Sequence, residues 1–413
     1  MTHRLCIVSG CLLGLMVSPA FAQFGDVTLS TFGYFQVSFQ HQESTLEEDT
    51  DNSFNVQQLN LFFQTDFTPR WRGFVNFEVL NNFSSSQGWG SFDLDEAWVR
   101  YRANQHFILR AGLQVPKFNR LNEIKNRTPL LPYVVRPLVY EESFSEFFNI
   151  EEFVPERAFL QLEGWFPVTA VKLDYAVYLG NSPNVNSQFD NTRNETSQQT
   201  GVDTTTTVLV GGRVGLRYGE LELGVSATRE TTNDFSVLAE AEADDRPFIE
   251  GIAPNELSAI PKTRLGVDLS YQLGGFFLEG EYIAVRNDVD LPKRLATRDG
   301  PPRLGLDRTF YYATLSYPIT ERLLAYGSYW YSTERFLVEV LSRSYHEEVN
   351  VQVFTGGVRY ALLQDADGFD RITLKAQYAF AEIDEDVDVT VSVVNLEQDN
   401  HLHVFGVAVS VLF

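Results

Sequence analysis

Arginine is the main basic residue on the polar faces of segments in which apolar and polar residues alternate; Arg72, Arg100 and Arg110 are examples. A guanidinium group carries a planar fork of N–H donors that matches the two oxygens of a carboxylate or a phosphate better than an ammonium group does. A row of arginines facing a group of carboxylates would create an electric field across a pore and orient a polar or anionic solute. The alternative, equally open for any single arginine, is that its side chain pairs with a neighbouring acid and serves only to pack the wall.

The sequence contains few residues that would support a catalytic function. Outside the first 22 residues, the histidines are His41, His106, His346, His401 and His403. His401 and His403 fall on one face of a strand and could pinch a metal ion, but no third ligand lies near them in the sequence. No Gly-x-Ser-x-Gly, phosphate-binding loop or cysteine-pair motif occurs. We therefore expect neither an enzyme nor a bound metal or cofactor.

The charge balance excludes a further class of function. The chain has 413 residues, with 32 Lys and Arg against 55 Asp and Glu, and a formal charge of −23. A protein that binds nucleic acid needs a basic patch to displace counterions from phosphates, so nucleic acid is not an expected partner. Beyond the first two dozen residues, no apolar run approaches the roughly 20 residues that a membrane-spanning helix requires. A soluble β-rich protein and a membrane β-barrel remain.

The first 22 residues predict an export signal. Arg4 supplies a positive charge, Leu5 to Val17 form an apolar stretch, and Ala20-Phe21-Ala22 is a small-x-small cleavage site. A lipoprotein site at Cys11 is the alternative, but it would leave too short an apolar stretch. Both cysteines lie in this segment, so the exported chain cannot hold a disulfide. We expect a signal peptide at 1–22 and a single domain at 23–413.

Segments of alternating polarity fill the remaining chain and predict strands. The clearest runs from Thr263 to Leu273, where leucine, valine and tyrosine at odd positions oppose arginine, aspartate, serine and glutamine at even positions. Such strands give a sheet with one apolar and one charged face. The predicted strands span 26–40, 54–67, 71–82, 92–103, 105–115, 156–166, 170–180, 207–218, 219–230, 262–273, 275–286, 307–318, 321–335, 345–363, 368–383 and 399–413.

The connections between these segments alternate strictly between short and long. Short ones include Thr68-Pro69-Arg70 and Gly274-Gly275. The long ones centre on 41–53, 83–91, 116–155, 181–206, 231–261, 287–306, 336–344 and 384–398. An outer-membrane barrel has short periplasmic turns and long outer loops, whereas a soluble sandwich has no reason to place every long loop on one side. The pattern predicts an all-β, transmembrane, antiparallel up-and-down barrel of about 16 strands, with both termini at the short-turn end.

The last strand supports this fold. Phe405, Val407, Val409, Val411 and the terminal Phe413 stand on one face, so the chain ends on an aromatic residue. Outer-membrane barrels characteristically end in such a strand, which resembles the signal that their insertion machinery recognises. We therefore expect the outer-membrane insertion machinery to be a partner through Phe413.

Three segments resemble the phosphate-selective porin O/P-like family of Gram-negative outer membranes. They are Leu94–Arg102 (LDEAWVRYR), Leu109–Phe118 (LRAGLQVPKF) and Pro155–Arg157 with the strand that follows. The resemblance implies a sixteen-stranded barrel, usually trimeric, with the third loop folded into the lumen. Gly112–Val115 lacks the lysine usual in the family's strand, and the chain holds few lysines, whereas the phosphate-selective members line their pore with many Lys and Arg. Phosphate selectivity is therefore not carried over.

If the apolar face of the barrel meets lipid, the polar face lines a water-filled lumen. Acids such as Glu163, Asp174 and Asp268 share that face with the arginines and nearly balance them. The side chains that we expect to line the pore or its constriction are Arg72, Arg100, Arg102, Arg110, Lys117, Arg120, Lys125, Arg127, Arg157, Arg213, Arg217, Arg264, Arg371 and Lys375.

The third long loop, 116–155, is the expected constriction, because it is far longer than the connection of neighbouring strands requires. Basic residues fill its first half, and acidic and aromatic residues such as Glu146 and Phe148 fill its second half. This order would place opposite charges on the two sides of a narrow constriction of the pore. The alternative is an extracellular loop that packs on a neighbouring subunit.

The excess acid lies in the long loops, for example at Glu47, Asp244 and Asp386. Such runs are usually solvated faces, but they could also hold divalent cations shared with lipopolysaccharide phosphates. A structural barrel that anchors the envelope through these loops is therefore the alternative function. Our first expectation is an outer-membrane porin of a Gram-negative bacterium, a homotrimer in contact with lipid and lipopolysaccharide, for passive diffusion of small hydrophilic, anionic or polar solutes.

Overall fold

The computed structural model describes most of the chain between Ala22 and Phe413. The described residues are 22–24, 27–45, 49–84, 88–125, 127–140, 153–182, 187–190, 195–198, 207–232, 260–289, 293, 302–340, 343–365, 370–389 and 394–413. Apart from Ala22, the expected signal peptide lies outside them.

Sixteen long strands form the fold, and each of the sixteen predicted segments coincides with one of them. The strands are β1 (Val27–Ser44), β2 (Asp49–Thr68), β3 (Trp71–Ser84), β4 (Gly88–Arg102), β5 (Ile108–Gln114), β6 (Ala158–Val168), β7 (Val171–Asn181), β8 (Val208–Tyr218), β9 (Leu221–Thr232), β10 (Ile260–Leu273), β11 (Phe276–Asp288), β12 (Arg303–Pro318), β13 (Leu323–Val340), β14 (Arg343–Gln364), β15 (Asp370–Val389) and β16 (Val394–Leu412). Among the described residues, three short strands lie outside this series: Ala22–Phe24, which pairs with β1, and Ser187–Asp190 with Glu195–Gln198, which pair with each other.

The sheet closes on itself. Each strand pairs antiparallel with its sequence neighbours, and β16 pairs with β1 in a register that joins Val411 to Phe35. Beyond the last strand residue, the Phe413 N–H donates to the Gly33 carbonyl at 3.0 Å, and the Gly33 N–H donates to the Phe413 carbonyl at 2.9 Å. The predicted antiparallel up-and-down barrel is confirmed, and closure gives each of its sixteen strands a partner on both sides.

Side chains alternate between the lumen and the outer surface. On β10, Leu265 and Leu273 are 55% and 62% exposed on the outside, whereas Arg264 and Asp268 are buried inside. Aromatic residues ring the outer surface at the short-turn end, including Trp71, Phe166, Tyr218, Phe276 and Tyr317. An outward apolar band with an aromatic girdle is the surface that a bilayer requires.

Within the described residues, no helix is long and apolar enough to cross a membrane.

The strands continue further at the long-loop end than the sequence pattern predicts. β14 has 22 residues and β15 has 20, and their pairing reaches Tyr345 and Val389. The connection at 41–53 is largely an extended hairpin in which Glu43 pairs with Thr50. Pairing satisfies backbone N–H and C=O groups whatever the side chains are, so a ladder can continue after polarity stops alternating. The sequence pattern, which depends on alternation, could not show these extensions.

The short turns are tight. Gly219 and Gly274 adopt φ of 57° and 59°, the left-handed conformation that two-residue hairpins favour. Thr169 reaches φ 55° in the turn between β6 and β7. These turns occupy the positions that the sequence predicts and place the start of β1 and the end of β16 at the same end of the barrel.

Closure of the barrel depends on a residue without a side chain at position 33. A Cβ there would lie 2.5 Å from the Asn60 carbonyl and 2.7 Å from the Phe413 ring. We expect Gly33→Ala to destabilise the barrel by about 1–3 kcal/mol, because overpacking forces the β1–β16 seam apart. Urea unfolding, followed by the shift in electrophoretic mobility on unfolding, measures this. Gly356→Ala is the control, since a Cβ there meets nothing within 4 Å; equal stability of the two variants would contradict the prediction.

Candidate functional site in the barrel lumen

The connection between β5 and β6, called loop 3 below, folds into the lumen as the sequence predicts. Its described residues are 115–125, 127–140 and 153–157, and they include short 3₁₀ turns at Asn122–Ile124, Thr128–Leu130 and Leu138–Tyr140. Asn122 closes the base of loop 3, because its amide donates to the carbonyls of Pro116 at 3.0 Å and Pro155 at 3.2 Å. The expected acidic and aromatic half, 141–152, lies outside the described residues.

Loop 3 forms a hydrophobic core with one half of the wall. Phe153 packs edge-on against Phe310 with ring centroids 6.3 Å apart, and Tyr133 meets Tyr326 at 5.2 Å. The core comprises loop residues Phe118, Leu121, Leu131, Tyr133, Val135, Leu138, Val139, Tyr140, Phe153 and Val154 and wall residues Ile283, Val285, Phe310, Tyr312, Tyr326, Trp330, Val351, Val353, Ala379, Ala381, Ile383, Leu402 and Val404. The expectation of a uniformly polar wall was therefore wrong for β11–β16.

The first anchor of loop 3 is Glu281 on β11. One carboxylate oxygen accepts the backbone N–H groups of Arg120 at 3.0 Å and Leu121 at 2.6 Å, and the other accepts the Tyr140 hydroxyl at 2.7 Å. Glu281 is buried and, among the described residues, has no ion-pair partner. A buried carboxylate is tolerable only when hydrogen bonds replace its hydration, and loop 3 supplies them.

Tyrosine hydroxyls of loop 3 extend this contact. Tyr133 donates to Glu279 at 2.7 Å, beside the donation of Tyr140 to Glu281. Burial raises the pKa of both tyrosines well above the ordinary value, and the neighbouring carboxylates raise it further. Both hydroxyls therefore keep their protons and act as donors.

The second anchor is Lys375 on β15. Its Nζ donates to the Gln36 side chain at 2.7 Å and to the Thr128 carbonyl of loop 3 at 2.8 Å. Next to it, Gln377 accepts the N–H groups of Val134 and Val135 at 2.7 and 2.9 Å. Lys375 is buried, which differs from the pore-lining position expected for it. The wall thus offers a buried anion on one side and a buried cation on the other, and the loop backbone binds both.

An alternating chain of charges fixes the start of loop 3 to β7–β10. Arg213 bridges Asp268 at 2.7 Å and Asp174 at 2.8 Å. Arg217 continues from Asp174 at 3.6 Å to Glu222 at 3.4 Å, and Arg120 of loop 3 reaches the same Glu222 at 3.0 Å. Here the alternative of wall packing describes the geometry, since Arg213 and Arg217 each pair with two acids. Arg120 pairs with Glu222 and donates to the Ser270 hydroxyl.

A second cluster holds the other end of the same segment. Glu163 on β6 pairs with Arg110 at 2.8 Å and with Lys117 at 3.0 Å, and Lys117 lies 3.9 Å from Glu123. Three of these four side chains remain partly exposed in the lumen. The cluster therefore combines a structural contact with a charged surface that water reaches.

Arg72, Arg100 and Arg110 form a row across β3, β4 and β5, because each is the register partner of the next. Arg72 is held by Asp66 through two bonds of 2.6 and 2.9 Å. Arg100 forms no ion pair or hydrogen bond in the described part of the chain, and its buried Nε is unsatisfied. The middle of the row is thus a guanidinium with free donors.

Aromatic rings pack beside this row inside the lumen. Phe74 stacks on Trp98 with centroids 4.9 Å apart, and the Arg110 guanidinium lies 5.2 Å from the Trp98 ring centroid. The Trp98 indole N–H donates to Glu96 at 2.8 Å. The stack restrains Arg110 by a cation–π contact and holds the row against the wall.

The remaining predicted site residues divide by exposure. Side chains between 19% and 46% exposed, and therefore reached by water, are Arg72, Arg110, Lys117, Arg120, Arg127, Arg157 and Arg217. Arg102 and Arg371 lie at the short-turn rim, and Arg371 pairs with Asp365 at 2.9 Å.

Other predicted site residues are less accessible. Arg213 is mostly buried in the charge chain, and Lys125 lies in loop 3, where its carbonyl accepts a hydrogen bond from Arg136 at 2.6 Å. Arg264 is fully buried against Glu230, which differs from the pore-lining position expected for it.

The histidine pair of the last strand faces outward. The His403 ring nitrogen lies 2.7 Å from the Tyr378 hydroxyl, and His401 packs near Phe380. Among the residues that the structure describes, no group of three or more His, Cys, Asp or Glu side chains is arranged to hold a metal ion.

Solved structures share this fold at low sequence identity. Over 95% of this chain and 99% of its own, OmpT, an outer membrane protein of Vibrio cholerae, superposes with a TM-score of 0.56 at 10% identity. An anion-selective porin from Comamonas acidovorans gives 0.56 at 11%, covering 94% of this chain and all of its own. The outer membrane channel DcaP of Acinetobacter baumannii gives 0.53 at 10%, covering 96% and 100%. No protein-family model and no curated protein matches the chain.

The Glu281 anchor can be tested without removing the side chain. We expect Glu281→Gln to loosen the start of loop 3, because hydrogen bonds to a carboxylate contribute about 1 kcal/mol more each than those to a neutral oxygen. Hydrogen exchange of the segment 116–125 should accelerate by about 5- to 30-fold, the equivalent of about 1–2 kcal/mol. Asp66→Asn, which removes an exposed pair at the rim, is the control. Unchanged exchange in Glu281→Gln would show that loop 3 is held elsewhere.

Proposed function

We propose that the protein is a porin of a Gram-negative outer membrane, a water-filled channel for passive diffusion of small anionic or polar solutes. The closed barrel with an outward apolar band suits an outer membrane, and partly exposed charged side chains inside it suit aqueous passage. The porins and channels that share the fold support the same function.

The observation that carries the anionic preference is the row of Arg72, Arg100 and Arg110. Its outer members each have a carboxylate, but Arg100 has none among the described residues. An unpaired guanidinium between two others raises the local potential, and a passing carboxylate or phosphate offers the oxygens that its fork matches. The row stands opposite the half of the lumen that the apolar core of loop 3 closes. Solutes therefore pass along the basic half.

The resemblance to phosphate-selective porins remains a proposal about ancestry. Its motif lies on β4 and β5, and Arg100 and Arg110 are part of it. The lysines that would favour phosphate are scarce: Lys375 is buried under loop 3, and Lys117 is shared by two glutamates. We propose a general preference for small anions with carboxylate or phosphate groups.

We propose no catalytic role. His106 stacks on Phe166 at the short-turn end with centroids 4.6 Å apart, whereas His401 and His403 face outward on β16. These positions do not place a histidine beside the arginines of the lumen. The alternative of a structural barrel anchored through acidic loops concerns segments that are largely outside the described residues. It predicts a lumen without ion conduction, which the experiment below separates.

The assembly and delivery of the barrel follow from the same proposal. A homotrimer agrees with the resemblance, and the outward face of β1–β4 carries exposed aromatics such as Phe67 and Phe92 that a subunit contact could cover. Phe413 at the barrel seam fits the terminal signal for the insertion machinery. Small hydrophilic solutes, outer-membrane lipid and lipopolysaccharide complete the proposed partners.

Planar-bilayer recording of the purified protein tests the channel. We expect stepwise conductance. In a KCl gradient, the sign of the reversal potential should show that chloride is more permeant than potassium. Arg100→Gln should lower the chloride-to-potassium permeability ratio about fivefold, since a unit charge about 4 Å from an ion in bulk-like water is worth about 1 kcal/mol. The effect should be largest at low salt, where screening is weak.

Two comparisons make the recording decisive. Arg371→Gln removes a lumen-end arginine that Asp365 already neutralises at 2.9 Å, so its permeability ratio should stay unchanged. Arg100→Lys keeps the charge but loses the fork, and it should keep chloride preference while weakening block by dicarboxylates. Absence of conductance would reject the channel, and potassium preference in the wild type would reject the anionic part alone.

A further inference from the structure

Two arginines on the outer surface play no part in the lumen. Arg229 on β9 shares its face with Val225, and Arg286 on β11 shares its face with Tyr282, and both of these neighbours are exposed on the outer wall. The two arginine side chains are themselves exposed. In the part of the chain that the structure describes, neither guanidinium has an ion pair or a hydrogen bond.

Strand register places the two arginines in one row, with β10 between them. Thr263 of β10 is the register partner of Arg229 on one side and of Arg286 on the other. Two strand spacings separate the backbones, about 9–10 Å. Asp307 of β12 follows in the same row, and no ion pair joins it to Arg286 among the described residues.

Other outward arginines have partners. Arg335 on β13 pairs with Glu348 at 2.9 Å, and Arg303 on β12 lies 3.7 Å from Glu339. Arg229 and Arg286 differ because neither forms an ion pair among the described residues, although Asp307 is the register partner of Arg286. A local anion is therefore the complement that these two side chains lack.

A groove of about 580 Å³ adjoins the pair at the outer ends of β8 and β9. Val208, Val210 and Ala227 are its apolar lining residues, and Arg229 and Thr263 lie in the same lining. Val210 is the register partner of Arg229, Ala227 lies one step nearer the short turns, and Val208 lies one step nearer the long loops. The groove thus surrounds a cationic side chain with apolar and small polar residues, and the apolar outer face of β9 continues from it toward the short turns. An anionic headgroup with an acyl chain below it has the same order of polarity.

The depth of the site matches the outer leaflet. β9 leaves the short turn at Leu221 and remains apolar on its outer face until Arg229. Eight residues span about 26 Å along a strand, or roughly 20 Å along the axis of a barrel tilted by about 40°, close to the roughly 25 Å height of an apolar band. Arg229 therefore lies where the acyl region of the outer leaflet ends and its headgroups begin.

We propose that the groove of β8–β10, together with Arg229 and Arg286, binds a lipopolysaccharide molecule of the outer leaflet. An acyl chain lies along Ala227 and Val225, on the short-turn side of Arg229, and a glucosamine phosphate bridges the two guanidiniums. The site depends on the outer-membrane location proposed above but not on solute passage. It contacts phosphate directly, unlike acidic loops, which would require a divalent cation between carboxylate and phosphate.

The test measures binding of rough lipopolysaccharide to the purified full-length barrel in detergent with EDTA present. The double variant Arg229→Gln/Arg286→Gln should bind about 25-fold more weakly than the wild type, because each arginine near an anionic headgroup contributes about fivefold in affinity. Arg335→Gln is the matched control, an outward arginine that Glu348 already neutralises, and its affinity should be unchanged. Dephosphorylated lipopolysaccharide should not distinguish the wild type from the double variant.

Three results would overturn the proposal: equal affinity of the wild type and the double variant, loss of wild-type binding on chelation, or preference for dephosphorylated lipid. As a measurement that needs no variant, wild-type binding should weaken as NaCl rises, and salt-independent binding would also contradict it. Conductance of the double variant is recorded in parallel and should equal that of the wild type. A barrel that binds lipopolysaccharide without conducting refutes only the channel, and one that conducts without this binding refutes only the lipid site.

Discussion

The lumen is organised by two wall charges that bind backbone rather than counter-ions. Glu281 accepts N–H groups from the start of loop 3, and Lys375 donates to a carbonyl near its middle. A charge buried without hydrogen bonds costs several kcal/mol, so each wall strand is stable in this form only with loop 3 in place. The same dependence holds loop 3 inside the barrel, because leaving would strip both charges of their partners. The wall and loop 3 thus determine each other's conformation.

This arrangement divides the lumen into two unlike halves. Loop 3 packs its apolar side chains on β11–β16, where Phe310 and Trp330 face inward and are fully buried. In the opposite half, from β3 to β8, Arg72, Arg110 and Arg217 remain partly exposed, whereas acids such as Glu78 and Glu163 are buried. Water and solutes therefore meet a basic surface on one side and a packed loop on the other. The anionic preference proposed for the channel follows from this asymmetry, since the total charge of the chain is strongly negative.

Outward-facing positions could be predicted well from the sequence. In β10 the alternation of polarity identified both faces correctly, because lipid on one side and polar lumen on the other impose a strict period of two. The prediction was wrong where both faces are apolar, as around Ile283 and Val351, since the inward residues there meet loop 3 instead of water. The sequence also predicted one pore-lining role for Arg264, Lys375 and Arg100. In the structure Arg264 and Lys375 are buried, whereas Arg100 has free donors. Chemical type and strand face are equal for all three residues, and only their neighbours across the lumen differ.

The sequence by itself determined the barrel, its sixteen strands and the position of its short turns, because these depend on local periodicity and on the length of connections. Insertion of loop 3 into the lumen was expected beside an alternative, and the tertiary structure decided for it. The tertiary structure decided which charged side chains pair with other residues and which keep free donors in the lumen. Arg213 illustrates the first group and Arg100 the second. It also placed Arg229 and Arg286 together on the outer wall. Pairing of charges depends on distances between strands far apart in sequence, and strand register together with the path of loop 3 sets those distances. No periodicity along one strand contains that information.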